Sequence, residues 1–312
     1  MKNVLVTGGA GFIGGHLVDK LVSMGKNVFV VDNESSSSAD GYHYNSKATY
    51  FKIDITDFNK LEFIFRDRPS LEIDTIFHLA ALSRIPYSIE NPIKACNTNF
   101  NGTLNVLEVA RIHKVDRVIF SSTSAAYGNN NQPPLQEAMT PEGLNPYSVS
   151  KLGAENLCKM YYSLYGLKTI MFRYFNVYGP RQPKEGDYAP VMGIFRRQKS
   201  NGEPMTIVGD GLQTRDFTHV DDVVQANILA SESNDESVFG ELFNVGSGLN
   251  YSILDICKMI GGDFAHIPER KGELRSTLAD ISKIRKILGY KPTINLEDWI
   301  NKENLKNGEK KK

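Results

Sequence analysis

The first fourteen residues constrain this chain more than any other stretch. Val4-Leu5-Val6 is a short apolar run with two β-branched residues, and Thr7-Gly8-Gly9-Ala10-Gly11-Phe12-Ile13-Gly14 follows it. The run reads as a buried strand and the glycines as a tight turn. From Gly15 onward Leu17, Val18, Leu21 and Val22 recur at helical spacing. Strand, glycine turn and helix together present a helix N-terminus to a phosphate, because the first N–H groups of a helix lack partners within it. The spacing Gly8-x-x-Gly11-x-x-Gly14 assigns Gly8 to the turn, Gly11 to close approach of a pyrophosphate, and Gly14 to packing of helix on strand. Alone, such a triplet reads equally as a plain β-to-α turn. The second strand shifts the balance. Val28-Phe29-Val30-Val31 ends in Asp32, within the interval of about 20 residues at which a carboxylate takes the ribose diol of a dinucleotide. Asp32 would repel a 2′-phosphate, so the expected cofactor is NAD rather than NADP.

Composition bounds the alternatives. The chain has 312 residues, with 36 Lys and Arg against 36 Asp and Glu. Zero net charge argues against a nucleic-acid or membrane-surface partner. The length suggests about two domains. Cys96, Cys158 and Cys257 are scattered and odd in number, which suggests reduced thiols and no metal site. Val4–Val6 is too short for a signal peptide, and no apolar run approaches about 18 residues, so a soluble cytoplasmic protein is expected.

Along the chain, the serine run 35–38 with Ala39-Asp40-Gly41 reads as a loop. Tyr50–Ile53 is a third strand, with Asp54-Ile55 at its end. Asp54 flanks the adenine or caps a helix starting near Asp57, two readings that stay level. Thr75–Leu79 is a fourth strand, followed by the small pair Ala80-Ala81, and His78 within it reads as a core histidine. Residues 91–113 repeat at helical spacing, and Val118-Ile119-Phe120 is a fifth strand running into Ser121-Ser122-Thr123-Ser124. Strands alternating with helices imply an α/β fold with a parallel, right-handed, doubly wound sheet. Ligands of such sheets lie beyond the carboxyl ends of the strands. Gly8, Asp32, Asp54, Ala80 and Thr123 each follow a different strand and would share one crevice.

Chemistry enters at Asn145-Pro146-Tyr147-Ser148-Val149-Ser150-Lys151. Pro146 suits the start of a helix, and Tyr147 and Lys151, four apart, then project from one face. A free tyrosine titrates near about 10 and is a weak base at neutral pH. The neighbouring Lys151 ammonium is expected to favour phenolate and bring that value down.

Together, Thr7–Gly14, Asp32, His78-Leu-Ala-Ala81, Ser121-Ser-Thr123, Tyr147-x-x-x-Lys151 and Arg173-Tyr-Phe-Asn-Val-Tyr-Gly-Pro180 resemble the extended short-chain dehydrogenase/reductase family from residue 2 to roughly 300. Within that family the chain looks most like the nucleotide-sugar 4-epimerases. The resemblance implies a Rossmann domain over 1–175, a smaller α/β substrate domain over 176–300 and a polar tail over 301–312, read as disordered from residue 302. The helix within 216–235 would return to the first domain. It implies tightly held NAD, contacted by Gly8, Gly11, Phe12, Ile13, Gly14, Asp32, Asn33, Asp54, Ile55, Leu79, Ala80, Ala81, Asn99, Ser121, Tyr147, Lys151 and Tyr174. It implies a UDP-sugar substrate against Arg84, Thr123, Ser124, Tyr147, Asn176, Val191, Thr206, Ile207, Val208, Gln213, Arg215, Arg270, Glu273 and Thr277. A homodimer through helices near 91–113 and 148–165 is also implied. Without the resemblance, Arg215 and Arg270 read as solvated charges; with it, they are suited to a diphosphate.

The implied catalytic residues are Thr123, Tyr147 and Lys151. Tyr147 takes the proton of the sugar 4-hydroxyl, Thr123 hydrogen-bonds that oxygen, and Lys151 lowers the Tyr147 value and holds the nicotinamide ribose. Net redox is zero, so the cofactor stays resident. Dehydratases of the family resemble Thr-Asp-Glu at this strand end and uronic-acid decarboxylases Thr-Ser-Glu. Here Thr123 is followed by Ser124-Ala125, which favours epimerisation. A non-catalytic sensor on the same fold would be expected to lack part of the Thr/Tyr/Lys set. Thr277, four beyond Glu273, stands where a bulky tyrosine tends to exclude N-acetylated sugars, which favours an acetamido substrate unless Thr277 is only packing. Arg84 suits a uronic acid instead.

Overall fold

The computed structural model describes residues 2–35, 41–184, 190–269 and 275–309, of which residues 307–309 are described by backbone alone. The apolar runs of the first 175 residues lie side by side in it as one parallel sheet. In chain order the elements are β1 (Asn3–Thr7), α1 (Phe12–Ser23), β2 (Asn27–Asp32), β3 (Thr49–Lys52), α2 (Phe58–Arg66), β4 (Thr75–His78), α3 (Ile85–Glu90), α4 (Pro92–Cys96), α5 (Gly102–Ile112), β5 (Arg117–Thr123), α6 (Pro146–Tyr165) and β6 (Lys168–Tyr174). Then come β7 (Val177–Tyr178), α7 (Val191–Ser200), β8 (Met205–Val208), β9 (Thr214–Asp216), β10 (Thr218–His219), α8 (Val220–Glu232), β11 (Glu241–Val245), β12 (Asn250–Ser252), α9 (Ile253–Ile260), β13 (Phe264–Ile267), α10 (Ser282–Leu288) and α11 (Leu296–Glu309).

The large sheet runs β11-β6-β5-β4-β1-β2-β3, and every pairing is parallel. Every residue of β1 and β5 is buried, as expected of strands covered by helices on both faces. One core, with Leu17, Val18, Phe172 and Val223, fills one face; a second, with Leu61, Val106, Phe120 and Cys158, fills the other. A third core of Phe195, Ile207, Phe217, Ile256 and Trp299 belongs to the smaller lobe.

Three features depart from the sequence reading. Residues 241–245, within the range 176–300 expected for the smaller domain, form β11, the edge of the large sheet, paired with β6 from Glu241↔Ile170 to Val245↔Tyr174. The helix expected over 91–113 is divided by a π-helical turn, Asn97–Asn101, between α4 and α5. The tail expected to be disordered from residue 302 continues α11 as far as Glu309. Its preceding turn buries Trp299 and Ile300 in the smaller core, and Glu303 accepts from Arg196 at 2.9 Å, so the polar residues extend an anchored helix. Residues 310–312 lie outside the described residues.

Candidate active site

A cavity of about 890 Å³ opens along the carboxyl ends of the strands of the large sheet and continues between the two lobes. Gly8, Gly11, Phe12, Ile13 and Gly14 line one end. Gly8 turns the chain at φ +73°, and a Cβ there would stand 2.7 Å from the Ala80 nitrogen. A Cβ on Gly14 would stand 2.1 Å from the Gly8 carbonyl oxygen, so both glycines are demanded by the backbone itself. Gly11 is the extended N-cap of α1, where a Cβ would meet that oxygen at 3.3 Å. No side chain caps α1 and its first turn carries no acidic residue, so no carboxylate competes with an anion for its first N–H groups.

Asp32 ends β2 on the cavity wall. Its two carboxylate oxygens accept from the Ala10 and Glu34 nitrogens at 3.0 and 2.8 Å. Burial raises its carboxyl above the usual range, against the pull of those two bonds. Asp54 is not on the wall. Its carboxylate accepts from the Thr56 backbone and hydroxyl and, at 2.8 Å, from the Asn33 amide, so it holds Asn33, which does line the cavity. Burial opposes those bonds, but they prevail and keep its carboxyl below the usual range. The helix cap is Asp57 itself, accepting from the Lys60 nitrogen at 3.1 Å.

Ile55, Leu79, Ala80, Ala81, Ser121 and Tyr174 all line the cavity. The Ser121 hydroxyl donates to the Tyr174 oxygen at 2.9 Å, and Asn227 of α8 donates to the same oxygen at 2.7 Å. Asn99, expected against the cofactor, is fully buried in the π turn and absent from the wall. It accepts from the Leu82 nitrogen at 2.8 Å and donates to the Leu82 carbonyl and the Ser150 hydroxyl at 3.0 and 3.1 Å. Its amide nitrogen and its carbonyl oxygen are thus both engaged in tying the loop after β4 to α6. His78 is a core residue, hydrogen-bonded with the Thr7 and Thr103 hydroxyls at 2.7 and 2.9 Å, and burial pushes its value down to about 3.

α6 begins at a capping box in which Asn145 accepts from the Ser148 nitrogen, with Pro146 in its first turn. One turn separates Tyr147 from Lys151, and both are buried on the cavity side of the helix. Thr123, at the end of β5, hydrogen-bonds the Tyr147 side chain. The expected pull of Lys151 on the phenol does not govern it. Burial raises Tyr147 above the ordinary tyrosine value, and Thr123 is the group that opposes this. The same burial lowers Lys151 to about 7, with Cys158 and Glu155 acting the other way. In a medium of low dielectric both ions are disfavoured, which outweighs their help to each other.

Arg84, Ser124, Asn176, Val191, Thr206, Val208, Gln213, Arg215 and Thr277 line the other end. Ile207 does not: β8 alternates buried and half-buried residues, and Ile207 points into the smaller core between Thr206 and Val208. The Asn176 amide donates to the Asp216 carbonyl at 3.0 Å and to the Thr277 hydroxyl at 3.4 Å. Thr277 is thus both buried packing and cavity wall. Arg215 donates to the Thr214 carbonyl at 2.9 Å. Arg270 and Glu273 lie outside the described residues, as does part of the polar loop after Gln182. Sequence reasoning missed Ser122, Phe195 and Phe217, which also line the cavity. Phe195 follows Val191 by four residues on α7, a spacing that could have revealed it. Among the described residues, no three His, Cys, Asp or Glu side chains gather to hold a metal ion, and no helix is long and apolar enough to cross a membrane.

Residues 5–303 match the family described as GDP-mannose 4,6 dehydratase. The chain is 38% identical to a UDP-glucose 4-epimerase of Thermotoga maritima solved with UDP-glucose, over 96% of each chain and with a TM-score of 0.89. It is 33% identical to a UDP-glucuronic acid 4-epimerase of Bacillus cereus solved with UDP-glucuronic acid and NAD, over 97% of this chain and 98% of that one, TM-score 0.85. It is 35% identical to a UDP-N-acetyl-alpha-D-glucosaminuronate decarboxylase of Bacillus cytotoxicus, over 96% of this chain and 95% of that one.

Proposed function

This chain belongs to the extended short-chain dehydrogenase/reductase family, in its GDP-mannose 4,6 dehydratase-like branch, and from that premise we propose that it is an NAD-dependent UDP-hexose 4-epimerase. The observation that carries the reading is the meeting of Thr123, Tyr147 and Lys151 on one wall of the cavity that the Gly8–Gly14 turn and Asp32 close at its other end.

The site fits NAD on its own chemistry. The backbone at Gly8 and Gly14 leaves no room for a side chain, the N-terminus of α1 is free of acidic residues, and Asp32 offers a carboxylate at the wall. Gly11 to Gly14 would hold the pyrophosphate, Asp32 the adenosine ribose and Lys151 the nicotinamide ribose. When bound, NAD supplies a hydride acceptor for the sugar C4 and a donor to the opposite face of the same carbon.

The chain's residues do the rest. Tyr147 takes the proton of the 4-hydroxyl and later returns it, with Thr123 hydrogen-bonded to the same oxygen. Asn176 and Arg215, with Arg270 and Glu273, anchor the nucleotide while the sugar turns over. Ser124-Ala125 after Thr123 offers no carboxylate at this strand end for loss of water or carbon dioxide. The relation to a decarboxylase keeps that reaction, on a uronic acid held by Arg84, as the second reading. Thr277 supports an N-acetylated hexose over an unsubstituted one.

Exposed Ile93 and Val149, on α4 and α6, support a homodimer through these helices. The deciding experiment incubates the purified protein separately with UDP-glucose, UDP-N-acetylglucosamine and UDP-glucuronate, without added NAD, and resolves products by chromatography and mass. An isomer of unchanged mass supports epimerisation, and loss of carbon dioxide from the uronate supports the second reading.

A further inference from the structure

Behind the cavity wall lies a charge pair that the proposed reaction does not use. Glu155 follows Lys151 by one turn of α6 and is almost fully buried. One carboxylate oxygen accepts from the Ser122 hydroxyl of β5 at 2.5 Å and from Arg173 Nε of β6 at 2.9 Å; the other accepts from Arg173 Nη2 at 2.8 Å. The Arg173 guanidinium lies 4.4 Å from the Tyr127 ring centroid, and the Tyr127 hydroxyl donates to Asn244 of β11 at 2.6 Å. Two strands are thus tied to α6 through one carboxylate, and β11 is reached from it through Arg173 and Tyr127. Burying such a pair carries a desolvation cost, and apolar side chains of similar volume commonly stabilise a fold as well or better. Stability alone therefore gives no reason for it.

Its location does. Ser122 precedes Thr123, and Phe120 and Ser122 share one face of β5. Lys151 lies over Phe120 on that face while Glu155 binds Ser122. We propose that Glu155 is a positioning residue: bound at once to Ser122 and Arg173, it fixes α6 against β5 so that Thr123 and Tyr147 reach one substrate oxygen, and it places a carboxylate one helical turn from Lys151. The inference rests on the epimerase reading. The groups around Lys151 are Tyr147 and Cys158 on its own helix, His78 on β4, Phe120 on β5 and, beyond Glu155, Arg173 on β6. Burial keeps Cys158 a thiol, His78 neutral and, before turnover, Tyr147 a phenol, so Glu155 is the source of negative charge among them in the resting site.

The test pairs Glu155→Leu with Arg173→Met, removing both charges without stranding either. The double variant should unfold cooperatively, with kcat lowered about tenfold or more and KM nearly unchanged. Competitive acetylation across pH, quantified at the Lys151 peptide by mass spectrometry, reads the amine directly, because Lys151 lines the cavity. Its midpoint should fall below that of the wild type. Ser122→Ala keeps the pair and removes only the tie to β5: kcat should fall and the Lys151 midpoint stay. If the double variant does not fold, Ser122→Ala decides the positioning role by its kcat, and the charge role is read from Glu155→Asp, which should keep the wild-type Lys151 midpoint, against Glu155→Gln, which should lower it. Folded variants with wild-type kcat and an unmoved Lys151 midpoint overturn the proposal. If the wild type turns over no nucleotide sugar, the epimerase reading fails, and the Lys151 midpoint alone then judges Glu155.

Discussion

The Lys151 ammonium nitrogen lies 4.2 Å from the centroid of the Phe120 ring, on a side chain that is 2% exposed. The ring face attracts the cation, yet burial wins and holds the folded-state value down at about 7 against the ordinary 10.5. A lowered value means that the unfolded chain keeps the proton over that range, so stability should rise as pH climbs from about 7 toward 10.5. Lys151→Met removes this dependence. Urea titrations from about pH 6 to about pH 9.5 should show the variant more stable than wild type at the acid end, with the gap narrowing as pH rises. A gap that stays constant contradicts the assignment.

Tyr147 and Thr123 address one oxygen in the proposed reaction. Removing the phenol hydroxyl as Tyr147→Phe should lower kcat by about 10²- to 10⁴-fold, while Thr123→Val should cost less. Groups that act together do not add, so the double variant should be little worse than Tyr147→Phe alone. Initial rates by chromatography on the best UDP-sugar check this, and fully additive losses would separate the two roles.

Gly14 and Gly11 of the turn should separate by geometry. Gly14→Ala sets a Cβ 2.1 Å from the Gly8 oxygen, against backbone that has nowhere to move, and should cost about 1–3 kcal/mol or more. Gly11→Ala meets the same atom at 3.3 Å, a contact that a shift of a few tenths of an ångström relieves, and should cost less stability than Gly14→Ala while weakening NAD binding. Thermal melts with and without added NAD distinguish the two cases. Equal destabilisation by both would show that the close approach at Gly14 relaxes.

The strand ends were legible in the sequence because a parallel sheet needs continuous apolar runs, and each run here stops at a polar or small residue: Asp32, Ala80, Thr123. Tyr147 and Lys151 were legible through helical spacing. What the spacing could not carry was the solvent environment. Whether Lys151 lowers Tyr147 depends on how deeply both are buried, and burial belongs to the tertiary structure. Asn99 and Ile207 failed for related reasons, since a π turn rotates the first inward and strand alternation turns the second into the core. β11 falls in the range expected for the smaller domain, but its partner β6 lies about 70 residues away in sequence, and no local pattern names a strand's neighbour. The Glu155–Arg173 pair is likewise a long-range match between two ordinary residues.

Thr277 shares its hydroxyl with Asn176 and the Asp216 backbone while facing the cavity. Thr277→Tyr adds a ring to a site that is 2% exposed, so it must project into the cavity or displace Asn176. Either way, turnover of UDP-N-acetylglucosamine should fall relative to UDP-glucose by about 10-fold or more in kcat/KM. Thr277→Ser, which keeps the hydroxyl, should preserve the wild-type ratio. An unchanged ratio in the tyrosine variant would reduce Thr277 to packing.

Ile93 is 86% exposed on α4, beside a groove that Cys96, Phe100, Val149 and Gly153 also line. Gly153 has a packing reason of its own, since a Cβ there would stand 2.7 Å from the Phe100 ring, so α6 and the π turn meet closely beneath the groove. An isoleucine this exposed costs the monomer little fold stability when changed, but a charge at the centre of an apolar interface is expensive once water is excluded. Ile93→Glu should therefore leave the melting temperature of the isolated chain almost untouched while shifting the mass in light scattering from dimer to monomer. Val149→Glu, on the facing helix, should do the same. Wild-type protein that runs as a monomer, or glutamate variants that remain dimers at micromolar concentration, would remove these helices as the interface.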